Sequence, residues 1–138
     1  MINYDDSFLK DVLKRTKTIA LVGASMKPSR ASNRVGEFLA NMGDHVIPVN
    51  PGHVGDELFG EKIIASLTDI DIPIDMVDIF RSSDAVGPIV AEAIKLKGLQ
   101  TIWMQLGVIN EDAAQMAADA GIDVIMDRCP KIERARLM

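Results

Sequence analysis

The sequence predicts an α/β fold, with a mostly parallel sheet packed between two layers of helices. Three observations carry this expectation. Six short β-branched or apolar runs alternate with stretches patterned for helices. A turn rich in small residues follows the first run directly. The length of 138 residues fits one domain, 1–138, of ordinary size. With 48% apolar and 25% charged residues the composition is that of a globular domain. At this length about 68% of the unfolded surface can be buried.

The elements follow in order. A helix over residues 6–15 precedes the first run, 18–22. Val35, Phe38, Leu39 and Met42 then fall at i, i+3, i+4 and i+7, one apolar stripe of a helix that Gly43 stops. The second run, 45–49, contains Pro48, which cannot donate to a ladder, so its missing donor must face a gap in the pairing or compromise the strand's end. Residues 50–60 hold three glycines and a proline and read as a loop to a short third run, 62–64. The fourth run spans 75–80. Ser83 is placed to cap a helix burying Val86, Ile89, Val90, Ala93 and Ile94, with Gly98 beyond its end. The fifth run is 101–104. Asn110-Glu111-Asp112 opens a further helix that carries Met116, Ala117 and Ala120 and closes at Gly121. The sixth run is 123–126, and a helical turn or two follows Pro130. Right-handed crossovers favour the order 3-2-1-4-5 with run six at the edge, a Rossmann-like three-layer fold whose crevice opens at the carboxyl ends of runs one and four.

Charge narrows the function. Lys plus Arg total 15 and Asp plus Glu 20, a net charge of -5, which argues against nucleic acid or an acidic membrane surface as general partners. Any anion must be held locally. Cys129 is the single cysteine, so neither an internal disulfide framework nor a multi-cysteine metal cluster is expected. The start Met1-Ile2-Asn3-Tyr4-Asp5-Asp6 lacks secretory-signal character, and no apolar run reaches the length of a membrane span. A cytoplasmic location is the expectation.

The chemistry concentrates in the turn Gly23-Ala24-Ser25-Met26-Lys27-Pro28-Ser29-Arg30-Ala31-Ser32-Asn33-Arg34-Val35-Gly36. Gly23 has no side chain to hold a ligand off, and free amides at the start of the following helix can donate to phosphate oxygens where the helix dipole favours negative charge. Lys27, Arg30 and Arg34 put three positive charges within eight residues of an acidic chain. A tight turn with a solvated basic edge is the plainer alternative. The nicotinamide fingerprint Gly-x-Gly-x-x-Gly fails, because Ala24-Ser25 and a longer insertion follow Gly23. The acidic residue that fingerprint places after the second strand is also missing, Val49-Asn50-Pro51 standing there instead. No basic residue replaces it to favour NADP.

Several words in order give a resemblance: Val22-Gly23-Ala24-Ser25 with its Lys/Pro/Ser-rich insertion, Pro48-Val49-Asn50-Pro51, Leu58-Phe59-Gly60, Asp75-Met76-Val77-Asp78-Ile79-Phe80-Arg81, Gln105-Leu106-Gly107 and Asp127-Arg128-Cys129. Over nearly its whole length the chain resembles the small stand-alone CoA-binding proteins, similar in fold to the N-terminal CoA-binding domain of the succinyl-CoA synthetase alpha subunit. That resemblance implies coenzyme A, free or acylated, as ligand. It implies that Gly23, Ala24 and Ser25 line the pyrophosphate, with Lys27, Arg30 and Ser32 as charge and hydrogen-bond partners. Asn50 and Pro51 would lie beside the adenosine end, Phe80 and Arg81 at the opposing wall, and Gln105 and Gly107 along the pantetheine path. The physical needs of CoA agree in outline: cations for its phosphates, an apolar face for its base and an open groove for its arm.

The larger relatives become enzymes through a catalytic domain with a phosphorylated histidine, and no stretch here matches it. A binding protein without catalytic machinery of its own is therefore the expected class. An NAD(P)-binding oxidoreductase, or a subunit completing an acyl-CoA ligase with a partner chain, is the alternative. His45 opens the second run and His53 lies in the glycine loop, where surface or structural roles outweigh catalysis and metal binding. Cys129 follows the last run with Arg128 beside it; a mixed disulfide with CoA stands against the plainer role of a small buried residue. There is no Gly-x-Ser-x-Gly elbow, and acidic pairs such as Glu111-Asp112 suit helix starts.

Overall fold

The computed structural model describes residues 2–138. Helix α1 (Asp6–Arg15) leads into β1 (Thr18–Val22), α2 (Ala31–Asn41) and β2 (His45–Val49). A small hairpin, β3 (Glu57–Leu58) and β4 (Glu61–Lys62), comes next. β5 (Met76–Ile79), α3 (Val86–Ala93), β6 (Thr101–Met104), α4 (Glu111–Asp119), β7 (Asp123–Ile125) and α5 (Pro130–Leu137) complete the chain. The main sheet has five parallel strands in the order β2-β1-β5-β6-β7.

Strand side chains alternate between two cores. Ile19, Leu21, Val46, Met76, Trp103 and Ile125 face α1, α2 and α5, where Leu9, Val12, Val35 and Leu39 cover them. Ala20, Val22, Val77, Ile79, Ile102 and Met104 face α3 and α4, under Val86, Val90, Ala113 and Ala117. Both faces of a parallel sheet are thereby buried, which is why the strands read as continuous apolar runs.

The α/β, Rossmann-like expectation holds, but the strand order differs. The third run does not enter the sheet as a strand: Glu61–Lys62 pairs antiparallel with β3, and only Ile64 meets β2, through a single bridge to Val49. The expected 3-2-1-4-5 with six at the edge is thus 2-1-4-5-6 in those runs. The chain between β2 and β5 is spent on the hairpin, and Pro48 limits what its outer side can pair. Ile64 donates to the Pro48 carbonyl (3.1 Å) and accepts from the Asn50 amide (2.9 Å), so the missing Pro48 donor faces this outer edge rather than β1.

Ser83 is not the cap of α3. It opens a 3₁₀ turn, Ser83–Ala85, and its hydroxyl instead accepts from the Ile109 amide (3.0 Å). Asn110 does cap α4, accepting from the Ala113 amide (2.9 Å). The hairpin turn holds Phe59 at φ 57°, and the Phe59 ring lies where a β-carbon on Gly36 would stand, 2.1 Å from it. Gly36 is therefore the notch in α2 that seats the hairpin. No helix among the described residues is long and apolar enough to cross a membrane.

Candidate functional site

The crevice lies where β1, β2 and β5 end. Gly23 leaves β1 at φ 88°, and a β-carbon there would stand 2.7 Å from the Phe80 carbonyl oxygen. Both the left-handed backbone and this close approach require glycine. The Gly23 and Ala24 amides donate to one acceptor, the Val49 carbonyl, at 3.0 and 3.3 Å. These two donors are thus spent within the protein. The Asn50 amide group donates to the Ala24 carbonyl (2.7 Å), while its oxygen accepts from the Gly52 amide (2.8 Å). The Asn33 amide group donates to the Ser25 carbonyl (2.9 Å), and the Ser25 hydroxyl accepts from the Lys27 amide (3.1 Å).

The remaining donors lie further along the turn. The amides of Ser25, Met26, Ala31 and Ser32 have no partner among the described residues, and no side chain caps α2. These are the groups a helix start leaves open to an anion.

A cleft of about 370 Å³ opens over this turn, lined by Gly23, Ala24, Ser25, Lys27, Arg30, Ala31, Ser32, Asn50 and Phe80. Lys27 and Arg30 are exposed on its rim, and neither has a carboxylate within ion-pair distance among the described residues. Arg34 turns aside and donates to the Ser29 carbonyl (2.5 Å). On the far side of Gly23 is a second cleft of about 170 Å³, where Pro51 and Arg81 meet Val22, Val49, Leu67 and Ile89 together with Ser66 and Glu92. Ser66 donates to the Glu92 carboxylate at 3.3 Å. Arg81 also lacks an ion-pair partner among the described residues.

The expected site residues are therefore divided. Gly23, Ala24, Ser25, Lys27, Arg30, Ser32, Asn50 and Phe80 share the larger cleft, and Pro51 and Arg81 the smaller. Gln105 and Gly107 line neither. Gln105 is buried with its side-chain oxygen unpartnered, and the Gly107 amide donates to Asp127 (2.8 Å). The histidines lie apart: exposed His45 meets half-buried Glu61 at 2.5 Å, and His53 meets Asp56 at 3.6 Å, both exposed. Cys129 is buried at the start of α5.

Two further residues stand out in the structure that the sequence did not single out. Asn33 has no motif of its own; its role exists only once α2 is folded against the turn. Asp78 left a signal, as an acid inside an otherwise apolar run. It is fully buried in β5, in register with Leu21 and Trp103, and neither carboxylate oxygen has a hydrogen-bond partner among the described residues. Burial raises its carboxyl well above the usual range.

Comparison with known proteins places the whole chain in a family. Residues 17–135 match the model of the CoA binding domain. The Bacillus subtilis protein YneT is 42% identical over 135 residues, covering 98% of both chains. A Thermus thermophilus protein of known structure superposes with a TM-score of 0.92 at 38% identity, covering 98% of this chain and all of its own. A Pyrococcus horikoshii protein does so with a TM-score of 0.91 at 38% identity, covering 98% and 93%. With a β1–α2 turn that keeps unpartnered amides beside unpaired cations, and a match spanning the sheet and its helices, the chain belongs to the small stand-alone CoA-binding domain family.

Proposed function

We propose that the protein holds coenzyme A, or an acyl-CoA, in the crevice at the ends of β1, β2 and β5, and that it acts by binding rather than by chemistry of its own. The carrying observation is the larger cleft. In a chain of net charge -5, its rim gathers two cations without carboxylate partners beside the open amides of Ser25, Ala31 and Ser32. The linked phosphates lie against Ser25 and the start of α2, with Lys27, Arg30 and the Ser32 hydroxyl as partners. Gly23 and Ala24 serve by shape, keeping the floor low, since their amides are committed to Val49.

The adenosine end lies beside Asn50 and Pro51, with Phe80 and Arg81 opposite. The smaller cleft offers it apolar walls and, in Ser66 and Glu92, polar groups for a base edge. Gly107, exposed beyond both clefts, then borders only the outer course of the pantetheine arm, while Gln105 is buried. Isothermal titration tests the reading. CoA should bind, and dephospho-CoA should bind about tenfold more weakly because a charged contact is lost. Equal affinity for NAD would overturn the assignment in favour of a nicotinamide enzyme. Binding that appears only with a second protein present would favour a ligase subunit.

A further inference from the structure

We infer that Asn33 is a positioning residue that orients the phosphate-binding turn, an inference that rests on the larger cleft being the anion site. Asn33 is only 7% exposed and does not line that cleft, yet its amide group donates across eight residues to the Ser25 carbonyl (2.9 Å). Asn50 does the same for the preceding carbonyl, Ala24, at 2.7 Å. The turn thus has two successive carbonyls tied down by neutral amide donors, one from α2 and one from the end of β2.

Peptide geometry gives this its consequence. In a trans peptide the carbonyl and the following N–H point to opposite sides of the chain. Fixing the Ala24 carbonyl on Asn50 directs the Ser25 amide away from Asn50, and fixing the Ser25 carbonyl on Asn33 directs the Met26 amide away from Asn33. Both amides have no partner among the described residues. An untethered Ser25–Met26 peptide could rotate and present its carbonyl oxygen to a bound anion, which would repel it. The tether removes that option before any ligand arrives, so the turn is not reorganised on binding.

The side chain must be an amide. A carboxylate of the same size could not donate to Ser25 and would add a negative charge next to the phosphate site, whereas alanine would only release the turn. Asn33→Ala and Asn33→Asp should therefore both weaken inorganic pyrophosphate and CoA, by about tenfold for alanine and by more for aspartate. Neither should change the binding of adenosine, which has no phosphate. A role confined to folding would lower adenosine and phosphate ligands together.

The experiment is titration of wild type and both variants with pyrophosphate, CoA and adenosine, with the amide NMR shifts of Ser25 and Met26 followed in parallel and urea denaturation used to confirm folding. Phosphate-selective loss in folded variants supports the inference. It is overturned by variants that bind pyrophosphate as wild type does, by losses equal across all three ligands, or by a wild type that takes no pyrophosphate. A wild type that binds pyrophosphate but not CoA would remove the CoA reading and leave Asn33 to be judged on pyrophosphate alone.

Discussion

Replacing Asp78 by asparagine should make the protein more stable at neutral pH, by an amount that grows as the pH rises. The carboxyl sits in the central part of the sheet, fully buried, with neither oxygen hydrogen-bonded and with burial as the only cause of its raised pKa. Among the described residues no charged group offsets the cost. Because the folded-state pKa lies above that of the unfolded chain, the native state holds a proton that the unfolded state gives up. The contribution of the protonated carboxyl is complete below about pH 4, the unfolded value, and is lost as the pH climbs toward the raised folded value. Over that window each pH unit costs the wild type about 1.4 kcal/mol. Asparagine, of nearly the same size and without a titrating proton, has no such slope. Urea denaturation of both proteins from pH 4 to pH 8 measures the difference directly, since the other carboxylates cancel between them. The stability curves should be closest at pH 4 and separate steadily above it. Curves that stay parallel throughout would refute the reasoning, for then Asp78 would titrate alike in both states.

Two further substitutions probe the crevice. Gly23→Ala forces a side chain onto backbone at φ 88° and against the Phe80 carbonyl; it should cost about 1–2 kcal/mol for the left-handed backbone alone, read by urea denaturation, and should abolish CoA binding by raising the floor of the cleft. Arg30→Ala should leave stability within about 0.5 kcal/mol, because Arg30 is exposed and has no ion-pair partner among the described residues. It should weaken CoA severalfold and flatten the dependence of that affinity on salt, measured by titration at several ionic strengths.

Much of this architecture could be read from the chain. Strands buried on both faces leave unbroken apolar runs, and the helices between them carry one apolar stripe each, so the layers and their sequence were legible. The β1–α2 turn was legible because a glycine, small residues and clustered cations at the end of a leading strand suit an anion better than they suit a packed core. Run three misled because a tripeptide such as Lys62-Ile63-Ile64 says nothing of its neighbours. Whether residues 62–64 pair with β2 or fold back as a hairpin depends on Phe59 finding its seat at Gly36, a contact between distant parts of the chain. The fate of the Gly23 and Ala24 amides was equally hidden, since it depends on how closely the Val49 carbonyl approaches. Ser83 shows the same limit: its hydroxyl is a good cap in isolation, but the loop after β6 claims it.

Pro48 carries a consequence for how molecules of this protein meet one another. β2 is an edge strand, and an edge with free donors and acceptors invites a strand from another copy. Here the outward positions are Val46 and Pro48: the proline has no hydrogen to offer, and Ile64 already occupies its oxygen. Val46 is only 1% exposed and Pro48 is buried as well, so an incoming strand finds no foothold at either position. The crossing chain at Ile64, laid over a proline that offers no hydrogen, thus guards the rim against zipping into a continuous sheet between molecules.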